Sequence, residues 1–220
     1  MKIEMHAHTR EVSPCAGVPA ETLVREYAGA GYSAVVITDH FNYYVLEGFG
    51  LENTRDRVNR YLLGFEEASK AASKYGIKAI LGTEVCLRNV GCEDYLLYGI
   101  EPEVLQTNPY MYDYTLAQLR EMCDKNGILL FQAHPFRGYL KRADINMLDG
   151  IEVHNGCPRH DSHNDRALEW AVRHGKLMSS GSDYHQTEDL ARGGIISDIL
   201  PENSKELKEL LISGNYTVIK

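Results

Sequence analysis

The sequence predicts an α/β protein, a parallel sheet or barrel with helices packed outside it. Short apolar runs alternate along the chain with amphipathic helical patterns, the rhythm of repeated β-α units. Five helical patterns each end in glycine, the residue that takes the left-handed cap conformation at least cost, and four of these lead straight into an apolar run. No Pro/Gly/Ser-rich linker or low-complexity tract interrupts the rhythm, so the chain reads as one domain over residues 1–220.

In chain order, "MKIEMHAHT" opens on a first strand that carries His6 and His8. "AETLVREYAGAG" (20–31) reads as a helix and "SAVVIT" (33–38) as a buried strand. The long pattern at 53–76 sets Val58, Tyr61, Leu62, Phe65, Ala68 and Ala72 at helical spacing. "KAILGTEV" (78–85) and "EDYLLYGI" (93–100) follow as strands, and 101–114 is a long connection ordered by its tyrosines. Thr115 and Gln118 fit a capping box for the next helix, ahead of strand "ILLFQA" (128–133). "GIEVH" (150–154), a helix opened by His163 and Asn164, and "KLMSSG" (176–181) come next. A last helix ends at Gly214 before "NYTVIK", and the strands number about seven.

The 220 residues carry a net charge of −8. An acidic chain is a poor partner for duplex nucleic acid, whose affinity comes from neutralised phosphates, although a few local cations suffice for a small anionic substrate. The five cysteines, Cys15, Cys86, Cys92, Cys123 and Cys157, are odd in number and form no CxxC, which argues against a disulfide framework or a thiolate zinc site. They read as reduced thiols of a cytoplasmic protein. No signal-peptide pattern and no long apolar run is present, so no membrane contact is expected. Oligomeric state is not legible.

In a barrel of this kind, function sits at the carboxyl ends of the strands. Here those ends deliver His6 and His8, then Asp39 and His40, Glu84, His134, Glu152 and His154, and Asp183 and His185. So many ionisable groups on one rim are costly unless paired or bound to a cation. Residues i and i+2 of a strand share a face, roughly 6.6 Å apart, so His6 with His8, and Asp183 with His185, can converge on one ion or on neighbouring ions. Imidazole with carboxylate suits Zn, Mn or Fe.

The ordered motifs "HAHT" (6–9), "TDH" (38–40), "GTE" (82–84), "AHP" (133–135) and "GSDYH" (181–185), with "GIEVHNG" (150–156), resemble those of the PHP (polymerase and histidinol phosphatase) family. The resemblance implies a distorted (β/α)7 TIM-like barrel with up to three divalent metals at its rim. Carried over by position, one metal takes His6, His8, Glu84 and Asp183. Glu84 bridges to a second that also takes His134, and a third takes His40 and His185. Asp39 is expected to orient a neighbour.

Two departures stand out. The family's further His after HxHT is missing, and Cys15 lies in that region. A second family His, after the bridging Glu, is replaced by "EDYLLYG", where Asp94 is the best substitute.

The expected activity is hydrolysis of a small-molecule phosphate ester by a metal-bridging hydroxide. Arg137 and Arg159 lie past strand ends as phosphate binders, and His154, two residues from Glu152, is placed as a general acid. Trp170 reads as core packing, and His160, His163 and His174 as surface or helix residues. Histidinol-phosphate phosphatase is a narrower alternative. An amidohydrolase, and a non-catalytic metal-binding regulatory domain, are alternatives of other classes.

Overall fold

The computed structural model describes residues 1–88, 93–138 and 140–220, so Cys92 lies outside the described residues. The chain opens with β1 (Lys2–Ala7), α1 (Ala20–Gly29), β2 (Tyr32–Ile37), the short β3 (His40–Phe41) and α2 (Tyr43–Gly48). The long α3 (Thr54–Tyr75) leads to β4 (Lys78–Cys86), β5 (Asp94–Tyr98) and α4 (Pro102–Thr107). Then come α5 (Leu116–Asn126), β6 (Leu129–Gln132), β7 (Gly150–Asn155), α6 (Asn164–Arg173) and β8 (Leu177–Gly181). The chain closes with β9 (Ile195–Ile196), α7 (Ser204–Ser213) and β10 (Thr217–Val218).

The glycine stops behave as expected. Gly76, Gly127 and Gly214 cap α3, α5 and α7 at φ of 73°, 63° and 68°. The capping box of Thr115 and Gln118 forms at the start of α5. The cap expected of His163 does not form: it makes no side-chain bond to the helix start. Asn164 instead accepts from the Asn155 amide at 2.9 Å, which ties α6 to the end of β7. The 101–114 connection holds α4, which the sequence reading did not anticipate, and is ordered in part by buried Tyr112.

The sheet runs β10-β9-β1-β2-β4-β5-β6-β7-β8, with β3 beside β4. Pairs β1/β2, β2/β4, β6/β7 and β7/β8 are parallel. A wholly parallel sheet is not what forms, since β5 runs against both β4 and β6. The cause is connection length: Leu87 to Glu93 is too short for the dozen or more residues a parallel crossover needs. The result is a nearly closed α/β barrel.

β1 and β8 face each other across the open seam with a single isolated bridge, Ala7 to Tyr184. There the His8 amide donates to the Tyr184 carbonyl at 3.0 Å and the Tyr184 amide to the His6 carbonyl at 3.1 Å.

One apolar cluster joins Ile3 and Met5 of β1, Val36, Ile80, Leu96 and Phe131 to Leu207, Leu210 and Leu211 of α7. A second packs Leu23, Val24 and Tyr27 of α1 with Val35 and Ile37 of β2 and the small face of α3, Ala68, Ala71 and Ala72. Both clusters hold the strands that aim the polar residues. Among the described residues no helix is long and apolar enough to cross a membrane.

Candidate metal centre

His6 lies one residue before the end of β1, His8 follows the strand, His40 starts β3, Glu84 lies on β4, Asp94 opens β5, and His134, Asp183 and His185 follow β6 and β8. The fold gathers them at one rim. His134 and Asp183 sit in the left-handed backbone region at φ of 29° and 51°, where a non-glycine residue costs ~1–3 kcal/mol and persists only if its surroundings fix it. Gly181 is required for the close approach: a Cβ there would stand 2.3 Å from the Cβ of His6.

Three groups result, the first two sharing His8: His6, His8 and Asp183; His8, His40 and His185; and Glu84, Asp94 and His134, the ligating atoms of each within 4.8 Å of one another. His6 Nε2 lies 3.2 Å from Glu84 and 3.5 Å from Asp183, and His8 Nε2 lies 3.5 and 3.4 Å from the same two carboxylates. A tetrahedral ion with bonds of about 2.0–2.2 Å separates its ligand atoms by about 3.3–3.6 Å, so His6, His8 and Asp183 fit a shared cation, and Glu84 presents Oε1 to His6 and Oε2 to His8 beside them. Among the described residues His6 Nε2, both His8 ring nitrogens, Glu84 Oε1 and His134 Nδ1 are buried without a hydrogen-bond partner, while His40 Nδ1 faces Glu84 Oε2 at 2.7 Å. Orphaned buried polar atoms in such density are what a metal cluster satisfies.

A surrounding layer aims the ligands. Glu152 Oε1 lies 2.8 Å from His6 Nδ1, which leaves Nε2 facing Glu84 and Asp183. Glu152 Oε2 accepts from the His134 amide at 2.9 Å and from Asn155 Nδ2 at 3.0 Å. Asp39 is turned away from the rim. It accepts from the Thr9 amide and hydroxyl and from the Ser13 hydroxyl, each at 2.7 Å, and so pins the turn after His8.

Glu4, which the sequence reading passed over, lies two residues before His6 and is fully buried. Its Oε1 accepts from the Met5, His6 and Ser182 amides at 2.9, 2.9 and 2.8 Å, and its Oε2 from the Tyr27 and Ser182 hydroxyls. It clasps β1 to the segment that carries Asp183. The only available signal was a charged residue inside an apolar strand.

A cavity of about 360 Å³ opens over the cluster, and both expected arginines line it. Arg137 donates to Asp183 at 2.7 Å and to Asn155 at 2.8 Å, while its buried Nε has no partner among the described residues. Arg159 is held by both oxygens of buried Asp189, at 2.6 and 2.7 Å.

The placement of His154 in the site is corrected. A register shift in the β7/β8 pairing between Glu152 and His154 breaks the strand alternation, so Asn155 takes the inward position. His154 instead meets the Arg192 carbonyl at 3.0 Å and Asn164 at 3.1 Å. His160, read as a surface or helix residue, is exposed and also lines the cavity.

Burial would depress His6, yet the Glu152, Glu84 and Asp183 carboxylates hold it well above the usual imidazole range. His8 goes the other way, pushed well down by burial and by its neighbours His40 and His185. Glu84 and Asp183 stay well below the carboxylate range because the facing histidines outweigh burial. Asp94 is pushed up to about 6 by burial and by Glu84.

Cys15 is exposed at the cavity mouth, against His40 and His185. Although partial burial works against ionisation, hydrogen bonds from these two rings bring its thiol down to about 6. Alkylation of Cys15 by iodoacetamide in chelator-treated protein, followed by peptide mass spectrometry, is therefore expected to rise with pH to a midpoint of about 6. A midpoint near the ordinary thiol value of about 8.5 would show that the imidazoles do not stabilise the thiolate.

The site and barrel define a class: an α/β barrel with a cluster of histidines and carboxylates at the strand ends whose groups could hold a metal ion. The PHP domain model matches residues 4–122, and the chain belongs to that family. The match stops short of His134, Asp183 and His185, so their membership in the site rests on the geometry above.

Over 110 residues the chain is 30% identical to the PolC-type DNA polymerase III of Latilactobacillus sakei, covering 50% of this chain and 6% of that one. A two-domain protein from Bacteroides vulgatus, described as containing a PHP-like metal-dependent phosphoesterase, superposes with a TM-score of 0.69 at 18% identity. That match covers 100% of this chain and 64% of the other. A lesion-specific endonuclease from Pyrococcus furiosus superposes at 0.66 and 16% identity, covering 99% and 57%. The chain thus has the fold of PHP-like metal-dependent phosphoesterases and spans less than two thirds of each of these relatives.

Proposed function

We propose that the chain is a metal-dependent phosphoesterase that hydrolyses a small-molecule phosphate ester with two or three Zn, Mn or Fe ions. His6, His8, His40, Glu84, His134, Asp183 and His185 are the proposed ligands, with Asp94 and Cys15 replacing the two missing family histidines. The observation that carries this reading is the set of buried ring and carboxylate atoms that converge without hydrogen-bond partners. Bound there, divalent ions supply Lewis-acid charge to the phosphoryl group and a hydrolytic nucleophile at neutral pH.

The chain's own residues do the rest. Glu152 fixes the His6 ring, and Asp39 fixes the turn that presents His8 and His40. Arg137, with its free buried Nε, and Arg159, anchored on Asp189, stand at the cavity wall to fork onto phosphate oxygens. His154 has no part in this reading.

The cytoplasmic, single-domain reading over 1–220 is retained as part of the proposal, supported by Cys15, Cys123 and Cys157, which form no disulfide among the described residues. The preference for a small ester rests on the net charge of −8. The polymerase and endonuclease relatives make a nucleic acid the competing substrate class.

The test is metal analysis with reversible removal. Protein purified without chelator is expected to carry about two or three equivalents of Zn, Mn or Fe by mass spectrometry. Chelation should abolish hydrolysis of a phosphate-ester panel, and reloading should restore it. Under one equivalent after reloading with each metal, together with no hydrolysis, would leave a non-catalytic regulatory domain as the reading.

A further inference from the structure

The loop after β6 has two faces. His134 and Arg137 line the cavity over the cluster, whereas Phe136 between them lines a separate cavity of about 320 Å³. The guanidinium groups of Arg142 and Arg166 lie over the Phe136 ring, 5.0 and 4.7 Å from its centroid. Both arginines are exposed, and neither has an ion pair among the described residues.

Trp170 stands edge-on to Phe136, with ring centroids 5.9 Å apart at 87°. Together with Arg142 it also lines an adjoining cavity of about 490 Å³ beside Lys141. Arg166, Trp170 and Arg173 follow at i, i+4 and i+7 of α6 and so share a face. Among the described residues, Glu169 is the carboxylate that lines these cavities, and it is paired with Arg173.

Two guanidiniums stacked on one ring repel each other, and among the described residues no carboxylate pairs with them in a chain whose net charge is −8. Stacking on Phe136 offsets little of this, because an exposed cation over a ring is held weakly. Their planar forks match phosphate, and the Trp170 wall beside them offers a planar apolar surface within cavities of ligand size. We propose that this surface binds a nucleotide, with its phosphate across Arg142 and Arg166 and its base against Trp170. The site is separate from the metal cluster and does not depend on the hydrolytic reading.

Trp170 is the sole tryptophan, so its fluorescence reports on this site alone. The protein as purified is titrated with the methylenephosphonate analogue of adenosine monophosphate, which has no phosphate ester to cleave, and separately with inorganic phosphate and with adenosine. The expected result is a saturable change with the analogue, weakened at least about tenfold in the Arg142→Ala/Arg166→Ala variant. Phosphate should bind more weakly and adenosine should give no saturable signal.

Both arginines are exposed, so the variant should keep its melting temperature and its hydrolysis of a small phosphate ester. No saturable change, or the same affinity in the variant, would overturn the site. An equal response to phosphate and to the nucleotide analogue would overturn the assignment of a nucleotide in favour of a bare anion.

Discussion

Asp183→Asn is expected to lose phosphate-ester hydrolysis by at least ~10³-fold, since removing one preorganised charged or donor group from such a site alone costs ~10²–10³. The carboxylate faces His6, His8 and His185 at 3.5, 3.4 and 3.4 Å on one oxygen and accepts from Arg137 at 2.7 Å on the other. Asparagine keeps the shape and is among the few side chains at ease at a φ of 51°, so the backbone survives. What it removes is the charge that holds four cationic or metal-facing groups together. The variant should purify with fewer metal equivalents and, with both proteins stripped by chelator so that no ion contributes, unfold in urea within about 1 kcal/mol of the wild type. Activity within tenfold of the wild type would remove Asp183 from the reaction and undermine the proposed ligand set.

The largest effect on stability is expected at Glu4. Glu4→Ala strips the acceptor from three backbone amides and two hydroxyls in a site closed to water. Each buried donor left unsatisfied costs about 1–3 kcal/mol, and allowing for relaxation the variant should lose at least about 3 kcal/mol in urea unfolding. Glu4→Gln, which keeps one oxygen for the amides of His6 and Ser182, should lose less, about 1–2 kcal/mol. A loss below about 1 kcal/mol for the alanine variant would mean that water or repacking replaces the clasp.

The contrast between Glu4 and Glu84 explains what was legible in the sequence. Glu84 follows the rule that barrel chemistry gathers at strand carboxyl ends, as do His40, His134 and Asp183, so β-α punctuation alone located them. Glu4 lies ahead of that rim, where the same rule assigns no role. Its worth appears only when Ser182, far away in sequence, is brought beside it. Glu152 was visible as a strand-end carboxylate, but that it grips both His6 and the His134 amide is tertiary information.

The exchange of His154 for Asn155 came from a one-residue register shift, and a shift of that size reverses which side chains face inward. The reversal of β5 could have been read from the short connection before it. The bidentate hold of Asp189 on Arg159 had no local signature at all.

The sparsely bridged seam between β1 and β8 also bears on how the protein comes apart. Closing it joins Glu4 to Ser182 across a separation of 178 residues. By chain-entropy scaling, such a loop costs about 4–5 kcal/mol to close, and few backbone bonds return that cost. His6 and His8 stand on one bank and Asp183 and His185 on the other, so any ion they share works as a rivet between the chain's two ends. Metal loading is then folding energy, and the ion's residence time sets a floor under the lifetime of the closed ring. Starved of metal, the protein would open first at this join, exposing the edge of β8 to proteases before the rest of the barrel loosened.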